Sequence, residues 1–78
     1  MDIVKTLLKS ILDINIENLK DEDINPDNIM EWDSLTHFNI VAAIEEQFNI
    51  ELNPEDIMRA MQGYNDIIDI LRNYGVNI

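Results

Sequence analysis

Sixteen acids against five bases leave this 78-residue chain with a formal net charge of −11, which argues against nucleic acid or an acidic membrane as a partner, since phosphate binding needs Lys and Arg. The length is that of one domain, residues 1–78, with no room for a large enzyme cleft and several catalytic groups. The lack of cysteine excludes a disulfide framework and thiolate metal sites, while few Gly and Pro and 46 % hydrophobic residues point to a folded globule.

Asp2 is a plausible helix cap, and Ile3, Val4, Leu7, Leu8, Ile11 and Leu12 then form one apolar stripe with Lys5 and Lys9 on the other side. This predicts a first helix over 3–12. Residues 13–31 have no sustained period, and Asn25-Pro26-Asp27 reads as a turn. Such a long connection must be pinned by its own apolar residues: Ile14, Ile16, Leu19, Ile24, Ile29, Met30 and Trp32. A short helical turn fits near 17–22. A second helix is predicted over 34–48, with Asn49 to stop it and Ile50-Glu51-Leu52 briefly extended. Asn53-Pro54-Glu55-Asp56 has the cap, the first-turn proline and the acids of a helix start, so a third, short helix is placed over 54–61. Gly63 breaks it, and a fourth helix spans 65–73, closed by Tyr74-Gly75. The expected fold is all-α: a small antiparallel four-helix bundle with a long first loop and a short third helix. No basic region precedes an apolar run at Met1-Asp2, and no apolar stretch nears the length of a membrane span. A cytoplasmic monomer with no membrane partner is expected.

The second helix carries the unusual feature. Asp33 and Ser34 are both helix-starting residues. At about 100° per residue, Ile40, Val41, Ile44 and Phe48 share one stripe, whereas Leu35, Asn39, Ala42 and Glu46 lie roughly opposite. A large apolar residue therefore sits beside a serine and faces away from the core. A helix N-terminus bears partial positive charge and unpaired N–H groups, and favours a phosphate built on such a serine. The acids enforce an asymmetry, since no Lys or Arg lies between Lys20 and Arg59. That half suits docking to basic partners.

Other chemistries are poorly supported. Asp21, Glu22, Asp23 and Asp27 lack the spacing of a calcium loop, so no metal site is assigned. Ser34 and His37 are neighbours on a helix, but no orienting group or glycine-rich oxyanion site accompanies them. His37 reads as a packed histidine, and the chain as a protein that is not an enzyme.

With Asp33-Ser34-Leu35, the run from Ile40 to Leu52 and the closing Asp66-Ile67-Ile68-Asp69-Ile70-Leu71, the chain resembles the acyl carrier proteins, in the broad group that includes peptidyl and D-alanyl carriers. The resemblance implies that Ser34 carries 4′-phosphopantetheine, placed there by a phosphopantetheinyl transferase (a holo-carrier synthase), with Asp33 as the adjacent acid. It implies partner contacts at Leu35, Thr36, Asn39, Ala42, Glu45, Glu46 and Asp56. The bulk that a small core requires places Phe38 with Val41, Ile44, Phe48, Leu52, Met61 and Ile67 in an expected core able to part around a short acyl chain. The implied partners are an acyl- or aminoacyl-activating ligase, and acyltransferase or synthase enzymes with basic docking patches. Thr36 and Asn39 are neutral where the fatty-acid-synthesis pattern has acids, and Trp32 replaces an aliphatic residue. These departures fit acyl intermediates of a specialised pathway. The alternatives are an aminoacyl, D-alanyl or peptidyl carrier, and an unmodified acidic interaction module.

Overall fold

Three of the four helices begin at a side chain that accepts from a first-turn N–H. Asp2 Oδ1 accepts from Lys5 N–H at 3.0 Å, Asp33 Oδ1 from Thr36 N–H at 2.8 Å, and Asn53 Oδ1 from Asp56 N–H at 2.8 Å. In the computed structural model, which describes residues 2–78, these caps open α1 (Ile3–Leu12), α2 (Ser34–Phe48) and α3 (Pro54–Ala60). The fourth helix, α4 (Tyr64–Asn73), starts at Gly63, and a 3₁₀ turn, Asp21–Asp23, interrupts the long first loop. Asp13 and Asn49 adopt left-handed φ of 56° and 53° and end α1 and α2, a conformation that short polar side chains tolerate best after glycine.

The result is an all-α small bundle. α1 packs on α2 and α4, and α3 packs on α4. Val4, Leu8 and Leu12 meet Ile40, Val41 and Ile44 of α2 and Ile67, Ile70 and Leu71 of α4 in the core. The loop is pinned by Ile16, Ile24, Ile29 and Trp32, all buried, with Ile14 and Leu19 packed alongside. Asn25 shapes its turn, with Oδ1 accepting from the N–H groups of Asp27 and Asn28 at 2.9 and 3.1 Å. Gly63 has φ 123°, and a β-carbon there would lie 2.5 Å from the Ile24 carbonyl oxygen. The same carbonyl accepts from Tyr64 N–H at 2.8 Å, so the loop and the start of α4 are locked backbone to backbone.

Several details differ from the sequence reading. The helical turn expected near 17–22 is split into a turn at 17–18, closed by Leu19 N–H on the Ile16 carbonyl, and the 3₁₀ turn Asp21–Asp23; α3 stops at Ala60, and α4 starts one residue early. Residues 50–52, expected to be briefly extended, have no regular secondary structure. Met30 does not pin the loop: it is 93 % exposed. Trp32 N–H donates to the Ile29 carbonyl in a tight turn that sends both of those side chains inward and leaves Met30 at the outer corner. Ile3, in the first turn of α1, is exposed as well. Among the described residues no helix is long and apolar enough to cross a membrane.

Candidate functional site

Asp33 and Ser34 divide two tasks that the sequence leaves open between them. Asp33 is the cap, with extended backbone and its carboxylate on Thr36 N–H. Ser34 is the first helical residue and is exposed. Its hydroxyl therefore stands at the positive end of a 15-residue helix without serving as the cap. The Thr36 N–H holds the Asp33 carboxyl below its ordinary value, so the acid next to the serine is ionised and stays on its cap.

Beneath the serine lies a buried polar cluster. His37, only 4 % exposed, accepts at Nδ1 from the Trp32 indole N–H at 3.0 Å. Its Nε2 pairs with the Ile57 carbonyl of α3 at 2.8 Å. The two rings lie 22° from parallel. His37 is thus packed, as expected, but it also ties the end of the first loop and the start of α2 to α3, twenty residues on.

The outward face of α2 is as periodicity predicts. Leu35 is 75 % exposed, Asn39, Ala42 and Glu46 are exposed, and Thr36 is half-buried. The other two expected contact acids are engaged within the fold. Glu45 Oε2 accepts from Leu52 N–H at 2.8 Å, bracing the chain after α2. Asp56 Oδ2 accepts from the Tyr74 hydroxyl at 2.7 Å, which ties α3 to the end of α4. That bond raises the Tyr74 hydroxyl above its ordinary pKa.

The core expected to shelter a short acyl chain needs correction. Phe38 is 62 % exposed and belongs to the surface. It lies about 110° around α2 from the centre of the buried His37, Ile40, Val41 and Ile44 stripe, beyond the reach of the core. Ile44, Leu52 and Ile67 do converge, and Ala60, Ile70 and Leu71 complete their seam, which has no space for a water molecule. Val41 is buried on the α2 stripe and half-buried Phe48 packs against the core, whereas Met61, half-buried just past the end of α3, is not among the residues packed on it. The exposed Phe38 and Met58 are surface residues that sequence reading missed. The angular offset of Phe38 was a usable signal, whereas nothing in the local pattern marks the Trp32–His37–Ile57 cluster.

An exposed primary hydroxyl on the first turn of a helix suits an O-linked phosphodiester, because the helix end favours its negative charge. No cluster of three His, Cys, Asp or Glu side chains suited to a metal occurs among the described residues. Residues 2–71 match the profile of the phosphopantetheine attachment site family. Comparisons with curated proteins and with solved structures give no match. With nine-tenths of its length matched and an exposed serine where the helix end favours a phosphate, the chain belongs to the phosphopantetheine attachment site family, whose members are non-catalytic carriers of covalently bound 4′-phosphopantetheine.

Proposed function

We propose that Ser34 is the attachment residue, and that the protein is an acyl carrier for a specialised biosynthetic pathway. One observation carries the assignment: Asp33 takes the cap and leaves Ser34 exposed on the first turn of α2. When bound, the arm supplies the thiol that this cysteine-free chain lacks and on which cargo is held as a thioester. The chain itself holds the serine at a fixed helix end, favours the phosphodiester electrostatically, and presents a docking face beside it.

Carrier domains work with phosphopantetheinyl transferases and with synthase or ligase enzymes. On this chain the proposed contact surface is Leu35, Thr36, Asn39, Ala42 and Glu46. Glu45 and Asp56 contribute charge, but both are anchored internally. The middle of the outward face is thus neutral and partly apolar, and exposed Phe38 extends it. Partners that depend on acids at the positions of Thr36 and Asn39 lose ion pairs contributing about 0–1 kcal/mol each. Two such losses reduce affinity several-fold, since 1.4 kcal/mol is a factor of ten. Fatty-acid-synthase enzymes should therefore use this carrier poorly.

Intact-mass measurement tests the site. A broad transferase with coenzyme A should add one phosphopantetheine to the wild type and none to Ser34→Ala. An unchanged wild-type mass, under conditions that modify a control carrier, would refute the assignment. The pathway is tested with a fatty-acid ketosynthase. The loaded wild type should be a poor substrate that improves in a Thr36→Asp, Asn39→Glu double variant. Wild-type turnover equal to that of a fatty-acid-synthesis carrier would exclude the specialised role.

A further inference from the structure

We infer that His37 is a positioning residue for Ser34: its two ring nitrogens clamp the segment ahead of the serine and α3 onto α2, and so set the face that partner enzymes dock against. The inference rests on Ser34 being the attachment residue.

The hydrogen-bond chemistry admits one arrangement. The Trp32 indole N–H can only donate, so His37 Nδ1 accepts from it at 3.0 Å. The Ile57 carbonyl can only accept, so Nε2 carries the proton and donates at 2.8 Å. Both ring nitrogens are consumed, and among the described residues no buried side-chain nitrogen or oxygen is left without a partner.

The connections matter because of where they run. Trp32 ends the pinned loop two residues before Ser34, and His37 lies three residues after it, one helical turn inward. Ile57 sits in the middle of α3. α2 and α3 are not among the helix pairs in broad contact, since α2 packs on α1 and α3 on α4. The His37–Ile57 bond therefore joins two elements that packing alone holds together weakly. Each clamped segment also bears an exposed apolar side chain close to the clamp: Met30 in the loop, Phe38 on α2 and Met58 on α3. A purely structural histidine would need none of these placements. A clamp that sets a docking face gathers three such segments around one serine.

Conservative variants separate positioning from folding. Trp32→Phe keeps an aromatic ring and removes the donor to Nδ1, together with part of the buried ring volume. His37→Phe removes both bonds, and His37→Gln keeps a donor able to reach Ile57. Transfer from coenzyme A should be measured with each variant at a temperature where circular dichroism shows it fully folded. The KM for the carrier should rise about threefold in Trp32→Phe and about tenfold in His37→Phe, with kcat little changed. His37→Gln should recover part of that loss. Hydrogen exchange should quicken at the amides of residues 29–36 and 54–60 but not in α1. Folded variants that load with wild-type KM and kcat would overturn the positioning role and leave Ser34 in place. A wild type that is never modified on Ser34 would remove the site, and the positioning role with it.

Discussion

Along α1 and α4 the molecule neutralises its own charges, whereas around α2 it does not. Lys5 Nζ lies 2.7 Å from Asp21 Oδ1, and Lys9 Nζ lies 3.2 Å from Glu17 Oε1. Arg59 reaches back from α3 to Asp66 and Asp69 of α4. The Tyr64 hydroxyl donates to Asp2, and the Lys5 ammonium sits 5.1 Å from the centre of the Tyr64 ring. Burial pushes the Asp2 carboxyl up, but the bonds from Tyr64 and the Lys5 N–H outweigh it and leave the carboxyl below its ordinary value. By contrast, residues 21–58 contain no Lys or Arg, and among the described residues no ion pair reaches an acid of α2 or of its approach at Glu31 and Asp33, beside exposed Leu35 and Phe38. One side is braced by its own ion pairs, and the other carries the charge on which the proposed basic partner would act.

Breaking the closed side should have the largest effect. Leu8 is fully buried between α1 and its neighbours, and Leu8→Ala should cost about 2–5 kcal/mol. That rivals the about 3–5 kcal/mol of net stability open to a core this small, so urea titration should show the variant largely unfolded. Half-buried Phe48 on the open side offers the contrast, and Phe48→Ala should cost about 1–2 kcal/mol. Equal costs for the two would erase the distinction.

Gly63→Ala comes next. The new β-carbon would meet the Ile24 carbonyl oxygen and the Asn25 β-carbon while φ stays at 123°. The strain should cost about 1–3 kcal/mol, and it should appear in thermal melts without altering transfer to Ser34 in the folded fraction.

The uncompensated acids supply a smaller effect of opposite sign. Millimolar magnesium or added salt screens their repulsion in the folded state, so the melting temperature should rise. A flat response would mean that the α2 side is already balanced.

The smallest effect isolates the cap beside the serine. Asp33→Ala should lower the melting temperature by a few degrees near neutral pH. The Asp33 carboxyl is held below its ordinary value of 3.8, so its stabilisation is present above that value and lost as pH falls through the lowered folded value. The gap between wild type and variant should therefore close in acid, and a gap constant down to about pH 2 would show that the charge does not matter.

Local chemistry was enough for α1 and α2. Their apolar repeats, and the caps Asp2, Asp33 and Asn49, act within a few residues, and the observed limits Ile3–Leu12 and Ser34–Phe48 coincide with those expected. The outward position of Leu35 followed from the same angular reasoning. The loop was less legible. Nothing between Ile29 and Trp32 distinguishes the apolar residue that turns inward from Met30, which turns out, because a tight turn decides it through one backbone bond. Phe38 was misplaced for another reason: size and hydrophobicity suggested the core, but its angle on α2 leaves nothing for it to pack against.

By itself the sequence determined the helices, the excess of acid on one half, and a serine at a helix start, because capping, periodicity and net charge are properties of neighbouring residues. Only the tertiary structure decided that Glu45 and Asp56 brace the fold from within, and that His37 joins Trp32 to Ile57. Those assignments depend on hydrogen-bond partners 5 to 20 residues apart brought within about 3 Å, and for the longer of these spans no local pattern encodes which donor a buried acceptor will meet.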